Sequence, residues 1–241
     1  MTNDERREKY AAMQKRDIQR HSVQTRFTHG VVAIAIIWLS ISGLFVFVPA
    51  LSTAVGADVV KAFRLSHRVL GVVLLVVPLL SALASPRGFK AFLGKYFTKW
   101  TPEDGEFMAK FVPYMLAPKK VHMPDQDEVK SGQRVADGFL IVSTIMMIIS
   151  GMVLWLGTDF FAASNDTLIM MRFIHDLFFI LLLIFLIAHI YLGAGIFQPY
   201  RGMLRVMWGD GRITESNALY HWGFWARKEI EDGTHVVPEN K

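Results

Sequence analysis

Residues 173–197 read FIHDLFFILLLIFLIAHIYLGAGIF, an apolar run with few polar interruptions. A helix needs about 20 such residues to cross a bilayer, so this run is long enough. In hydrocarbon it has little choice of structure, because a lone spanning segment satisfies its backbone groups only as a helix. Two histidines interrupt it, His175 near its start and His189 near its end. At ~1.5 Å and ~100° per residue they lie about 21 Å apart along the axis and differ by about 40° in azimuth. Both imidazoles therefore leave one face, one in each leaflet. Ionisable groups inside a membrane mark function, and two on one stripe point to two stacked prosthetic groups.

Three further runs of comparable length precede this one. The four spans expected are about 27–48, 66–84, 135–156 and 173–197. Pro49 stops the first and Ser85-Pro86 the second, while Pro78 lies inside the second, where a membrane helix tolerates it. The predicted fold class is an all-α polytopic membrane protein with a four-helix transmembrane bundle. The chain has 241 residues, 52% of them hydrophobic, and a net charge of +5. That charge is unevenly placed. The segment 1–26, the connector 86–134 and the tail 198–241 hold most of the Lys and Arg, whereas 49–65 and 157–172 hold few. The positive-inside rule then puts both termini in the cytoplasm and accounts for the basic excess without nucleic acid. The domains expected are a basic cytoplasmic N-terminal segment (1–26), the bundle (27–197) and a cytoplasmic C-terminal tail (198–241), in a bacterial inner membrane with lipid as the surrounding partner. No cleavable leader and no internal repeat are expected. Residues 89–97 read as a short interfacial helix, and Trp208, Trp222 and Trp225 as side chains resting on a membrane surface or a partner. Asp137 and Asp176 read as interfacial acids.

The chain has no cysteine. That excludes disulfides, cysteine-ligated iron–sulfur clusters and covalent haem attachment, and leaves histidine and methionine as redox ligands. His29 enters span one from inside and His67 enters span two from outside. His175 enters span four from outside, and His189 lies near its inner end. Four histidines thus form two leaflet-matched pairs, His29 with His189 (inner) and His67 with His175 (outer). Imidazole is an axial ligand of haem b, and two of them leave the iron no open position. Two such haems in a bundle would form an electron path across the bilayer. Gly43 and Ser81 each lie fourteen residues after a histidine, on that histidine's face, where small residues permit close approach. Arg26 and Arg201 flank the inner site, and Arg64, Arg68 and Arg172 the outer one, as candidate partners of haem propionates. His21, His122, His221 and His235 fall outside the spans and read as non-ligands. Met146, Met147, Met170 and Met171 read as packing.

These residues resemble a known family, the gamma subunit of respiratory formate dehydrogenase, a dihaem cytochrome b membrane anchor similar to the cytochrome b subunits of nickel–iron hydrogenases. Four pieces carry the resemblance. They are Arg26-Phe27-Thr28-His29 with Ser42-Gly43, Leu65-Ser66-His67 with Gly71, Lys130-Ser131-Gly132-Gln133-Arg134, and Ile174-His175 with Ala188-His189-Ile190-Tyr191. The tail from Ala218 to Trp222, with Trp225 and Lys228-Glu229-Ile230, fits as well. The resemblance implies two haem b held by the four histidines. It also implies a quinone, menaquinone or ubiquinone, reduced near His189, Lys130, Gly132 and Gln133. Lys130 stands where the family has an asparagine and Arg134 where it has a lysine. The implied partners are an iron–sulfur beta subunit and a molybdenum or tungsten catalytic alpha subunit on the outer side, in a complex compatible with higher oligomers. The alternatives are the anchor of a hydrogenase or sulfur-compound reductase, a stand-alone reductase with a soluble donor such as ascorbate, and a haem-free transporter or scaffold.

Overall fold

The structure is a computed structural model that describes residue 5, residues 16–195 and residues 200–238. The rest of the basic segment before residue 16, and the end of the fourth expected span at 196–197, lie outside the described residues. In chain order the elements are β1 (Arg16–Gln19), α1 (Val23–Phe47), α2 (Pro49–Val55), α3 (Ala57–Ala84), α4 (Pro86–Tyr96), α5 (Pro102–Leu116) and α6 (Ser131–Phe160). They continue with α7 (Asn165–Gly193), α8 (Leu204–Trp208), β2 (Arg212–Thr214), α9 (Glu215–His221), α10 (Gly223–Asp232) and β3 (Val236–Pro238). Helices α1, α3, α6 and α7 are long and apolar enough to cross a membrane. The chain is an all-α polytopic membrane protein, with one small sheet added.

Local chemistry sets the breaks. Pro49 has no N–H to continue α1 and opens α2 at a position that suits proline. Gly56, at φ +83°, turns the chain into α3. The connector expected over 49–65 is therefore mostly helix, and α3 begins nine residues before the expected span. Likewise α7 starts at Asn165, because nothing between there and Phe173 breaks a helix. In the long connector, Thr101 and Asp104 form a reciprocal capping box that starts α5. A helix is expected over 89–97 and α4 covers 86–96, with Phe89, Phe92 and Leu93 exposed.

The chain divides into two compact units. The first, Phe27–Pro86 with Phe139–Ala188, holds most of the four long helices. Its core joins Ala35 and Ile36 of α1, Leu74 of α3 and Leu182 of α7, with Leu140 and Ile148 of α6 packed against them. The antiparallel neighbours α1 and α3 are pinned at two levels. Thr28 Oγ1 donates to Ser81 Oγ at 2.9 Å, and Trp38 Nε1 donates to Ser66 Oγ at 3.0 Å. Phe139 stacks on Phe185 at 4.4 Å. Ile34, Leu79, Leu83, Ile184 and Ile187 are exposed, as lipid-facing side chains must be.

The second unit is Met1–Arg26, Arg87–Gly138 and His189–Lys241. Here β1 is the central strand of a three-stranded antiparallel sheet in the order β2-β1-β3. Ile18, Ile213, Leu219, Trp222 and Trp225 form its core. The surface role expected for the tail tryptophans is thus corrected for two of them, since Trp222 and Trp225 are buried. Arg20 stacks on both rings, 3.9 Å and 4.7 Å from their centroids, and donates to the Glu128 carbonyl. Asp104 accepts from Ser131 Oγ at 2.6 Å and from Arg134, tying α5 to the start of α6. Burial pushes that carboxyl up, but its bonds to Ser131, Thr101 and Arg134 outweigh this and hold it below the usual range.

Candidate functional site

The first unit brings two of the predicted ligands face to face. His67 on α3 and His175 on α7 have ring centroids 6.4 Å apart, with planes inclined at 58°. A metal–imidazole bond of about 2 Å on each side would put the two ring centres about 6 Å apart. Among the described residues no group of three or more His, Cys, Asp or Glu is placed to hold a metal ion. Two facing imidazoles with no third protein ligand suit a metal whose other positions are filled by a macrocycle, as in haem.

Each of these rings is held from behind by a serine. Ser42 Oγ lies 2.9 Å from His67 Nδ1, and Ser150 Oγ 2.9 Å from His175 Nδ1. Each hydroxyl lies within reach of two carbonyls of its own helix, Ser42 of Trp38 at 2.8 Å and Leu39 at 3.2 Å, and Ser150 of Met146 at 2.6 Å and Met147 at 3.4 Å. With its one proton given to a carbonyl, the oxygen accepts from the ring. Nδ1 carries the hydrogen, and Nε2 keeps the lone pair that a metal needs. Both serines are fully buried. A glycine follows each. A Cβ on Gly43 would stand 3.5 Å from His67 Cε1, and one on Gly151 would stand 3.2 Å from His175 Cε1. Gly43 thus makes room for an imidazole of the outer pair. Ser81, its counterpart in the sequence reading, accepts the Thr28 hydroxyl instead.

The inner pair divides between the two units, His29 in the first and His189 in the second. His189 Nδ1 is 3.4 Å from Asp137 Oδ1. The other oxygen of Asp137 accepts from the Tyr96 hydroxyl at 2.9 Å and from Gln133 Nε2 at 3.1 Å. Two predicted quinone contacts, Gln133 and His189, therefore meet on one carboxylate. Asp137 is 8% exposed, buried among these side chains. Burial, reinforced by the charge of Asp137, pushes the Tyr96 phenol well above its usual range and keeps it a donor.

The other two quinone candidates make different contacts. Lys130 is buried, with Nζ 3.0 Å from His221 Nδ1 and over the rings of Tyr200 (4.8 Å) and Trp222 (4.9 Å). Burial first, and Arg20 second, push this lysine down to about 7. Beside it is a small cavity of about 20 Å³, lined also by Phe107, Tyr114 and Tyr220, with room for about one water. Gly132 backs onto Phe107, 3.1 Å from where a Cβ would stand. Of the propionate candidates, Arg64, Arg68, Arg172 and Arg201 are exposed. Arg68 stands 5.6 Å from the Trp155 ring, and Arg26 donates to the Gly209 carbonyl.

Sequence reasoning did not find the roles of Ser42, Ser150, Gly151 and Tyr96. One signal was available. Ser-Gly stands 25 residues before His67 and again 25 residues before His175.

A sequence model of the family described as prokaryotic cytochrome b561 matches residues 20–210 of this chain. No curated protein matches it.

Proposed function

The chain belongs to the prokaryotic cytochrome b561 family, and from that premise we propose that it is the dihaem membrane anchor of a respiratory formate dehydrogenase, passing electrons from an outer iron–sulfur subunit to quinone. Membership makes it a membrane haem b electron-transfer protein. The formate partner rests on the Lys130–Arg134 segment and the tail pattern. Haem b, when bound, would supply one-electron oxidation and reduction. His67 and His175 would hold the outer group, with their Nε2 atoms left free by Ser42 and Ser150. His29 and His189 would hold the inner one. Arg64, Arg68 and Arg172 are the propionate partners at the outer level, and Arg26 and Arg201 at the inner level. Quinone reduction consumes two protons. The Asp137 carboxylate, which accepts from Tyr96 and Gln133 beside His189, is placed to take up a proton from the inner side and pass it on. The observation that carries this reading is the 6.4 Å separation of the two serine-anchored imidazoles.

The pairing of β1 with β2 and β3 supports one further point. Strands that share a ladder belong to one compartment, which supports a topology with both terminal segments on one side, and the charge distribution favours the cytoplasm as that side.

The test is haem content of the purified chain with each histidine changed in turn. The wild type should carry two haem b. His67→Ala and His175→Ala should remove one haem with identical spectra, and His29→Ala and His189→Ala the other. Colourless wild-type protein, or different haems lost within a pair, would overturn the assignment. Co-purification with a molybdenum or tungsten subunit that oxidises formate identifies the partner; recovery with a hydrogenase instead rejects it.

A further inference from the structure

We propose that Ser42 and Ser150 are a matched pair of positioning residues that fix the tautomer and rotation of the two outer histidines and thereby set the reduction potential of the haem between them. This rests on the bis-histidine reading above. A buried serine that donates to a carbonyl one turn back in its own helix is common. That habit accounts for the two carbonyl contacts of each serine, Trp38 and Leu39 for Ser42 and Met146 and Met147 for Ser150, and leaves the third contact unexplained. Both serines make the same third contact, to Nδ1 at 2.9 Å, on a histidine 25 residues later in the chain. Both are followed by a glycine on which the same ring atom, Cε1, rests. The α1/α3 and α6/α7 hairpins thus present two equivalent half-sites to one ligand, a repeat the sequence reading did not expect.

The chemistry follows from the donor count. The hydroxyl proton is committed to Trp38 O or Met146 O, so only oxygen lone pairs face the ring. Accepting the Nδ1 hydrogen raises the electron density at Nε2 and makes the imidazole a better donor to ferric iron. A neutral hydroxyl does this less than a carboxylate would. Removing it should weaken the donor and raise the potential. Both hydroxyls are out of reach of water, so the acceptors left to Nδ1 in the alanine variants are the carbonyls of Leu39 and Met147, which the two rings also contact.

The experiment is potentiometric titration of the full chain in nanodiscs, read by optical spectra and by electron paramagnetic resonance of the low-spin ferric signals. Ser42→Ala and Ser150→Ala should each raise the midpoint of the haem that His67→Ala removes. The expected shift is about tenfold in the oxidised–reduced equilibrium, or 59 mV for one electron. The double variant should shift it further, and the other haem should not move. Ser42→Thr and Ser150→Thr keep the acceptor and should stay near the wild-type potential and signal. Unchanged midpoints in the alanine variants would overturn the proposal, as would equal shifts in the threonine variants. Should an alanine variant lose the outer haem, the threonine variant decides. Retention of a wild-type signal supports the proposal, and loss of haem there too rejects it. Wild-type protein with one haem or none sinks the ligand reading instead, so the two failures are distinct.

Discussion

Lys130 is a side chain whose burial works against its own charge. An ammonium taken out of water loses solvation, and here its surroundings are His221 Nδ1, two aromatic faces and the charge of Arg20. The folded value of about 7 lies below the ordinary value of 10.5. Between these limits the unfolded chain binds a proton that the folded chain does not. Stability contributed at this site therefore rises with pH from about 7 towards 10.5 and is lowest below 7. Lys130→Met should raise the unfolding temperature at pH 6 and flatten its increase between pH 7 and 9, measured on the purified chain in nanodiscs. An unchanged slope would assign the titration to another group. The sequence placed Lys130 correctly just ahead of a span, in a segment that looked functional. It could not show that the amine meets a histidine 91 residues later in the chain, because that contact exists only once the chain has folded.

At the scale of elements, the spanning helices were legible because lipid demands long apolar runs, and proline and glycine mark where they stop. Their ends were less so, since a helix can continue past the hydrocarbon until a real breaker intervenes. The small sheet was not legible, because strands of three or four residues carry too little alternation to register. Where two helices approach through a glycine, the spacing decides what the position tolerates. Gly43 and Gly151 look alike in sequence, yet a Cβ would stand 3.5 Å from His67 Cε1 in one case and 3.2 Å from His175 Cε1 in the other. The first is an ordinary contact. In a helix interior alanine is favoured over glycine by about 1 kcal/mol, so Gly43→Ala should leave haem content and unfolding temperature equal to or above wild type. Gly151→Ala must displace the ring of His175 by a few tenths of an ångström. It should lower outer-haem occupancy several-fold while leaving the inner haem in place, as read from the haem-to-protein ratio of each variant. Equal behaviour of the two would mean that the helices adjust freely, and that the serine anchors do not fix the rings.

At the scale of the whole molecule, charge asymmetry alone predicts a basic segment, a basic connector and a basic tail. It says nothing about whether they fold. They do fold, because Asp17 and Glu215 are buried and Arg20 is half-buried, and these groups need partners that only the joined segments supply. Asp17 meets Arg205 at 2.7 Å, and Arg16 meets Glu215 at 2.7 Å. Removing Asp17 should cost about 1.5–3 kcal/mol, the range for a hydrogen bond to a charged group. A more direct test uses the absence of cysteine from the chain. Gln19 and Arg212 are register partners in the β1–β2 ladder, so their Cα atoms stand about 4.5–5.5 Å apart, within the reach of a disulfide. Gln19→Cys combined with Arg212→Cys should therefore oxidise to one intramolecular bridge, visible as a mobility shift that reductant reverses. Gln19→Cys with Thr214→Cys is out of register and should bridge poorly. With this unit in the cytoplasm, as proposed above, a membrane-impermeant maleimide should block the reaction in inverted vesicles and leave it intact in right-side-out ones. Block from the outer side would reverse the orientation and with it the direction of proton uptake. Failure of the in-register pair to bridge would separate the two terminal segments and remove the argument that they share a compartment.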